Sequence, residues 1–241
     1  MKKCSAILLN YKRSKNLRNE ILRDILDHPL INEVIVSHGL PETYFTNFPR
    51  IKHLKHFVEQ SRTGLFRRLT TATIAKNDYL LYIDDDIKIS NDGLTTLLSS
   101  LDDDPFVIHG LFGRDCSTSR YIMKDVKGQT APIIGGRAFS VTKENVQAAL
   151  NIAHLIDPYM HDFPVKWNGE DIFLSLSTLL RNRRLNRVHP NIKYVNLPDE
   201  HAISHMPGHH AQRNLIVKKC FDILPGLKQA LGPNHFESQK S

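Results

Sequence analysis

The chain has 241 residues, of which 41% are hydrophobic, and 32 Lys and Arg against 25 Asp and Glu give it a formal net charge of +7. That length supports one sizeable domain with a real core, and no apolar run reaches the length of a membrane span. Three scattered cysteines, Cys4, Cys116 and Cys220, with no CxxC pair, exclude a zinc ribbon and a disulfide framework. They fit a reducing compartment, so a soluble cytoplasmic protein is expected. The apolar stretch after Lys3 is too short, and too soon followed by charge, for a signal peptide. The basic residues are spread over 12–23, 52–68 and 181–187. Nucleic acid, a membrane surface or an anionic substrate could answer them, although solvated faces are the simplest account.

In chain order, Ser5–Leu9 reads as a buried first strand. Ser14 is placed to cap a helix in which Leu17, Ile21, Leu22, Ile25 and Leu26 recur at helical spacing, and Pro29 ends it. Glu33–Ser37 is a second strand, so the chain opens β-α-β with parallel neighbours. Residues 41–50 read as loop and Ile51–His56 as a weaker third strand. Leu65–Ala75 is a helix leading into Tyr79–Ile83, a uniformly apolar strand of the kind buried on both faces of a parallel sheet. Asn91 or Asp92 should cap a helix over Gly93–Leu101. Phe106–Gly113 reads as a strand, and Tyr121–Val126 pairs with Ala131–Phe139 around the Lys127-Gly128 turn. Helices follow over Thr142–Ile152, with Thr142 as cap, and over Asp171–Leu180. A short strand at Ile192–Val195 and a helix over Gln212–Leu224 precede a frayed tail.

The acidic end of the Tyr79–Ile83 strand organises the rest. Ligands of open α/β sheets gather outside the carboxyl ends of the strands. Asp84-Asp85-Asp86 at that edge would repel one another unless a cation sat among them, and Mn²⁺ or Mg²⁺ carrying a diphosphate satisfies hard oxygen donors. Asp86 is best placed for the metal, and Asp84 and Asp85 for the hydroxyls or base of a nucleotide. A second triplet, Asp102-Asp103-Asp104, follows a helix instead of a strand and reads as a solvated helix end. Arg13 lies beyond strand one at the same edge, and Arg62, Arg67 and Arg68 precede or open the helix before the acidic strand. Any of these can grip phosphate bidentately. Gly135-Gly136 permits close approach of backbone to a sugar. In Trp167-Asn168-Gly169-Glu170-Asp171-Ile172, two carboxylates beside the only tryptophan start an apolar helix. Helix capping alone needs one acid, so this stretch is a candidate sugar site. His201, His205, His209 and His210 lie in a Pro/Gly loop; zinc is one reading, with loose spacing and no cysteines to support it, and the others are that one of them, or Arg213, closes over phosphates, or that they are merely loop residues.

Taken together, Asn10-Tyr11-Lys12-Arg13, Val34-Ile35-Val36, Arg68-Leu69, Leu81-Tyr82-Ile83-Asp84-Asp85-Asp86, Gly136-Arg137-Ala138-Phe139 and Asn168-Gly169-Glu170-Asp171-Ile172 resemble the exostosin-type glycosyltransferases (glycosyltransferase family 64) over about residues 5 to 225. The resemblance implies an α/β GT-A fold, a Rossmann-like nucleotide-sugar-binding sheet flanked by helices. It implies a single domain over 1–241, with a nucleotide-binding part to about 113 and an acceptor and catalytic part over about 114–230. The implied activity is retaining, Mn²⁺- or Mg²⁺-dependent transfer of an N-acetylhexosamine from a UDP-sugar to a glycan or other hydroxyl acceptor. By the same resemblance Asp86 carries the metal, and Arg13, Arg68, Asp84 and Asp85 hold the UDP. Gly136 borders the sugar, Arg213 contacts the diphosphate, and Asp171, with Glu170 beside it, lies against the anomeric centre. The family has Cys where Gly169 stands, and Trp-Asn where His38-Gly39 follows strand two, departures that bear on uracil recognition; His38 is a candidate nucleotide-sugar-binding residue. The membrane anchor and large partner domain of the animal enzymes have no counterpart here. Two other classes compete. A sugar nucleotidyltransferase expects a glycine-rich loop after strand one, which residues 10–14 lack. A basic nucleic-acid-binding domain expects a continuous basic stripe with stacking aromatics, whereas acids hold the expected centre.

Overall fold

The computed structural model describes residues 2–39, 54–58, 64–116, 119–126, 128–161 and 165–232. The expected loop over 41–50, residues 51–53 of the third strand, Arg62, Lys127 and the tail beyond 232 lie outside the described residues.

Strand β1 (Cys4–Asn10) is followed by α1 (Ser14–Asn16), a π-turn (Leu17–Ile21) and α2 (Leu22–Asp27). Ser14 does not cap this helix; its hydroxyl donates to Asn10 Oδ1 at 3.2 Å. Strands β2 (Ile31–His38) and β3 (Leu54–Val58) follow, then α3 (Phe66–Thr71) and β4 (Tyr79–Ile83). β1 lies between β2 and β4, all parallel, and Leu8 pairs with both Val36 and Ile83. Successive residues of these strands enter opposite cores. Ile7, Ile35, Leu80 and Tyr82 face one, while Leu8, Val36, Leu81 and Ile83 face the other. Full burial of one such aliphatic side chain contributes roughly 1.5–3 kcal/mol. A one-residue slip would exchange the two faces and misplace the acids that follow β4.

After β5 (Ile87–Ile89), helix α4 (Asn91–Asp103) is capped by Ser90, whose Oγ accepts from Gly93 N at 3.2 Å, not by Asn91 or Asp92. Asp104 at its end is not solvated as expected. It is buried and pairs with Arg184 at 2.7 Å, and Asp102 accepts from the Tyr79 hydroxyl at 3.1 Å.

The stretch from 106 to 142 is more finely divided than its pattern predicts, into β6 (His109–Gly110), β7 (Gly113–Asp115), β8 (Ile122–Asp125), β9 (Thr130–Ala131), β10 (Ile133–Ile134) and β11 (Ala138–Thr142). β8 and β10 do not pair with each other, because β7 lies between them. Pro132 and Gly135-Gly136 break what reads as one strand into pieces serving two sheets. Helices α5 (Lys143–Ile156) and α6 (Glu170–Asn182), strands β12 (Asn186–Val188) and β13 (Tyr194–Asn196), and helices α7 (His209–Ile223) and α8 (Leu227–Leu231) complete the chain. Thr142 precedes α5 without a side-chain cap and donates to Pro105 O instead.

The main sheet has the order β3-β2-β1-β4-β11-β6-β12-β9, and β11 is antiparallel to β4. Strand order therefore reverses between β1 and β4, and their carboxyl ends open a crevice there. Among the described residues no helix is long and apolar enough to cross a membrane.

Candidate active site

At the crevice, β4 ends in Asp84-Asp85-Asp86 and β1 ends in Asn10, with Arg13 three residues on. Lys12 between them takes a positive φ of 63°. The Tyr11 amide donates to Asp85 Oδ2 at 2.6 Å, and Arg13 pairs with Asp85 Oδ1 at 2.6 Å and with Asp86 Oδ2 at 3.1 Å. Burial pushes the Asp85 carboxyl up to about 6, against the pull of Arg13 and the Tyr11 amide. Asp84 is raised well above the usual range, by burial first and then by Asp86 and Asp85, with Arg68 opposing. Its Oδ1 lies 3.0 Å from Arg68 Nη2 but out of line for a hydrogen bond.

Arg68 stands on α3, 3% exposed, and gathers three parts of the chain. Besides Asp84, it donates to Glu170 Oε1 at 2.9 Å and to the Gly136 carbonyl at 2.6 Å. Burial works against its charge, and Asp84, Glu170 and Asp171 more than restore it.

The start of α6 meets the same crevice. Gly169 precedes the helix with a φ of +144°, and a Cβ there would lie 2.5 Å from Ile216 Cδ1, so the turn into α6 requires glycine. Asp171 Oδ2 accepts from the Gly136 amide at 2.9 Å and from Arg213 Nη2 at 2.7 Å, and Oδ1 accepts from the Ile172 amide at 2.9 Å. Burial raises the Asp171 carboxyl, but the Arg213 charge and hydrogen bond, Arg68 and the Ile172 amide outweigh it and hold the group below its usual range. Glu170 moves the other way, raised by burial and by Asp171. Two adjacent acids are thus driven apart. Arg213, on α7, also donates to the Tyr121 hydroxyl at 3.1 Å, and its guanidinium lies 4.4 Å from that ring's centroid.

Arg13, Arg68, Asp84, Asp86, Gly136, Glu170, Asp171 and Arg213 line one cavity of about 380 Å³, and Asp85 is tied to its wall through Arg13. His38 is not brought there. It is wholly buried at the end of β2, where its Nδ1 faces Asn10 Nδ2 at 2.8 Å and its Nε2 faces His56 Nδ1 at 3.0 Å. Trp167 does not wall the cavity either. Its ring packs against Phe66 with centroids 4.1 Å apart, and its indole N–H donates to Asp157 Oδ1 at 2.9 Å, so core burial claims it. Of the four late histidines only His209 lines the cavity. It bonds Asn168 at 3.1 Å, and burial followed by the Arg213 charge lowers it to about 4.

One participant has no role assigned by the sequence, although it stands in the Gly136–Phe139 stretch of the resemblance. Arg137, at the foot of β11, donates to Asp86 Oδ1 at 3.0 Å, to the Asp86 carbonyl at 2.9 Å and to Asn196 Oδ1 at 2.9 Å. The carboxylates of Asp84, Asp85, Asp86, Glu170 and Asp171 thus meet the guanidinium groups of Arg13, Arg68, Arg137 and Arg213 at this crevice, and Arg114, Asp125 and Asp199 also line its cavity. A larger cavity of about 700 Å³ lies beside α4 and β12, where Asp104 pairs with Arg184 and His109 lies 3.2 Å from His189.

No family model matches the chain, and no curated protein matches it in sequence. Solved structures do match in shape. One is GalNAc-T7 with UDP, GalNAc and Mn²⁺, at a TM-score of 0.58 and 15% identity, covering 81% of this chain and 43% of the other. Another is the mannosyltransferase PcManGT from Pyrobaculum calidifontis in complex with GDP-Man and Mn²⁺, at 0.63 and 15% identity, covering 97% of this chain and 72% of the other. The chain thus spans under half the length of the first of these proteins. With a mostly parallel sheet, flanking helices and a strand-order reversal beside the acidic triplet, the chain has the GT-A fold of these glycosyltransferases.

Proposed function

We propose that this protein is a retaining, metal-dependent glycosyltransferase that moves a sugar, an N-acetylhexosamine, from a UDP-sugar to a hydroxyl of a glycan or other acceptor. One observation carries the reading. Asp84 and Asp86 at the end of β4 and the acid pair opening α6 face a single cavity and are bridged by Arg68, which pairs with Asp84 on one side and Glu170 on the other. Within the GT-A enzymes, the Asn168–Ile172 stretch favours the exostosin-type family. Residues to about 113 would bind the nucleotide, and those over about 114–230 the acceptor.

The donor set fits a hard divalent cation. Asp84 and Asp86 line the cavity, and their carboxylates are the hard oxygen donors that Mn²⁺ or Mg²⁺ takes in small number, completing its shell with phosphate oxygens and water. Asp86 would hold the ion, which when bound neutralises charge on the departing diphosphate.

The chain's own residues supply the rest. Arg13 and Arg68 orient the diphosphate, with Asp84 and Asp85 towards the nucleoside. Arg213 reaches the diphosphate from α7 while fixing Asp171. Asp171 stays ionised and rigid, and is the group to stabilise positive charge growing at the anomeric carbon. Glu170, the more readily protonated neighbour, assists at the same face. Gly136 keeps the sugar's approach open, since a Cβ there would lie 3.0 Å from Arg68 Nη1 and 3.4 Å from Asp171 Oδ2.

Calorimetry of UDP with Mn²⁺, on wild type and on Asp86→Ala, tests the reading. Binding is expected only with metal, and the variant should lose it. Equal affinity in the variant, or none in wild type, would defeat it.

A further inference from the structure

We propose that Arg137 is the resident counter-ion of Asp86, leaving that carboxylate when a divalent cation enters and turning to the diphosphate; this rests on the nucleotide-sugar reading above. Both oxygens of Asp86 are engaged by arginines, Oδ1 by Arg137 Nε at 3.0 Å and Oδ2 by Arg13 Nη1 at 3.1 Å. A cation that binds Asp86 adds a third positive group to a carboxylate that already serves two guanidinium groups, and the repulsion among them favours release of the one held less firmly.

The two arginines differ in how firmly they are held. The Arg13 side chain is 11% exposed and is also the partner of the fully buried Asp85, so moving it would leave a buried acid without its counter-charge. The Arg137 side chain is 34% exposed. Its remaining partners are neutral, namely the Asn196 amide oxygen, the Asp86 carbonyl and the Phe112 ring 5.5 Å away. Leucine 197 also donates its amide to that carbonyl at 2.8 Å, so the carbonyl keeps a donor when Arg137 departs. Arg137 lines the same cavity as Arg13 and Arg68, which leaves it within reach of a diphosphate there.

Opposite signs follow for two affinities. Without nucleotide, Arg137 competes with the metal and weakens its binding. With nucleotide present, Arg137 contributes a charge-assisted bond and strengthens UDP binding. Damage to the loop would weaken both.

The test uses Arg137→Met, which keeps an apolar stem over Phe112, and Arg137→Lys, which keeps the charge. Free Mn²⁺ is followed by electron paramagnetic resonance without nucleotide, and UDP is then titrated at saturating Mn²⁺. Arg137→Met should bind Mn²⁺ alone about tenfold more tightly than wild type and UDP about tenfold more weakly, the size of one charge-assisted bond. Arg137→Lys should keep the weak, wild-type-like Mn²⁺ affinity. Mn²⁺ binding by Arg137→Met that is unchanged or weaker, while wild type still binds UDP with Mn²⁺, overturns the inference and leaves the functional reading standing. Failure of wild type to bind UDP with Mn²⁺ overturns both.

Discussion

Asp171→Asn separates a charged functional carboxylate from a helix-capping one, and its cost can be worked from the contacts. Oδ2 takes two donors, Gly136 N and Arg213 Nη2, while Oδ1 takes the Ile172 amide. Asparagine has one acceptor oxygen. Set at the Oδ2 position, that oxygen keeps both longer-range partners but points its NH₂ at the Ile172 amide, and the flipped rotamer opposes two donors instead of one. One unmatched buried donor costs about 1–3 kcal/mol, and reducing the Arg213 bond from charged to neutral costs about 1 kcal/mol more. Arg213 keeps its Tyr121 contacts, so the full penalty of stranding a buried charge is not reached. The sum, about 2–4 kcal/mol, lowers the melting temperature by roughly 5–15 °C for a chain of this size. Turnover should fall at least about a hundredfold, the scale of one well-placed electrostatic group, while UDP and metal affinity change little. Melting, UDP calorimetry and sugar transfer on one preparation decide the matter. If Asp171 only capped the helix, Asn would serve nearly as well. A variant that is both active and as stable as wild type would refute the reasoning.

Arg68→Ala should weaken UDP binding more than tenfold. Because Arg68 is buried between Asp84, Glu170 and the Gly136 carbonyl, it should also destabilise the fold by about 3–5 kcal/mol; urea titration checks this, and a wild-type midpoint would contradict it. Gly169→Ala forces a side chain into a positive-φ turn against Ile216 and should cost about 1–3 kcal/mol in the same assay. His189 is lowered to about 4, by burial first and then by His109 and Arg187, so between its unfolded and folded values the unfolded chain binds more protons. Stability is therefore complete above about pH 6.5 and declines towards pH 4. Melting curves over that range should fall less steeply for His189→Gln than for wild type, and parallel curves would remove His189 as a source.

The parallel half of the fold was legible because its strands are buried on both faces. Continuous apolar runs such as Tyr79–Ile83 leave few other assignments, and the acids that follow mark the crevice. Beyond residue 106 the long helices were legible too, but the strands were not, because they are two to five residues long and take their places from partners distant in sequence. Asn186–Val188 reads as part of a basic run yet lies inside the main sheet. The acid pair at Glu170-Asp171 stood out through its neighbours, and Trp167 among them proved to serve the core. Arg137 stands in the Gly136–Phe139 stretch of the resemblance, but its role could not be found by pattern, because its partners Asp86 and Asn196 lie 51 and 59 residues away. Arg213 stands out in the sequence only as a candidate for phosphates, and its bond to Asp171, 42 residues distant, has no local signal.

Sugar transfer itself is tested most directly by proton NMR of a panel of UDP-sugars incubated with the protein and Mg²⁺, which leaves the anomeric signals sharp. The account predicts that one donor, a UDP-N-acetylhexosamine, loses its anomeric doublet while UDP accumulates, and that the new glycoside or free sugar first appears with the donor's configuration. Chelation of the metal should stop the reaction, as should Asp86→Ala. A panel in which every UDP-sugar stays intact, with Mg²⁺ and acceptor glycans present as with chelator, would contradict the account.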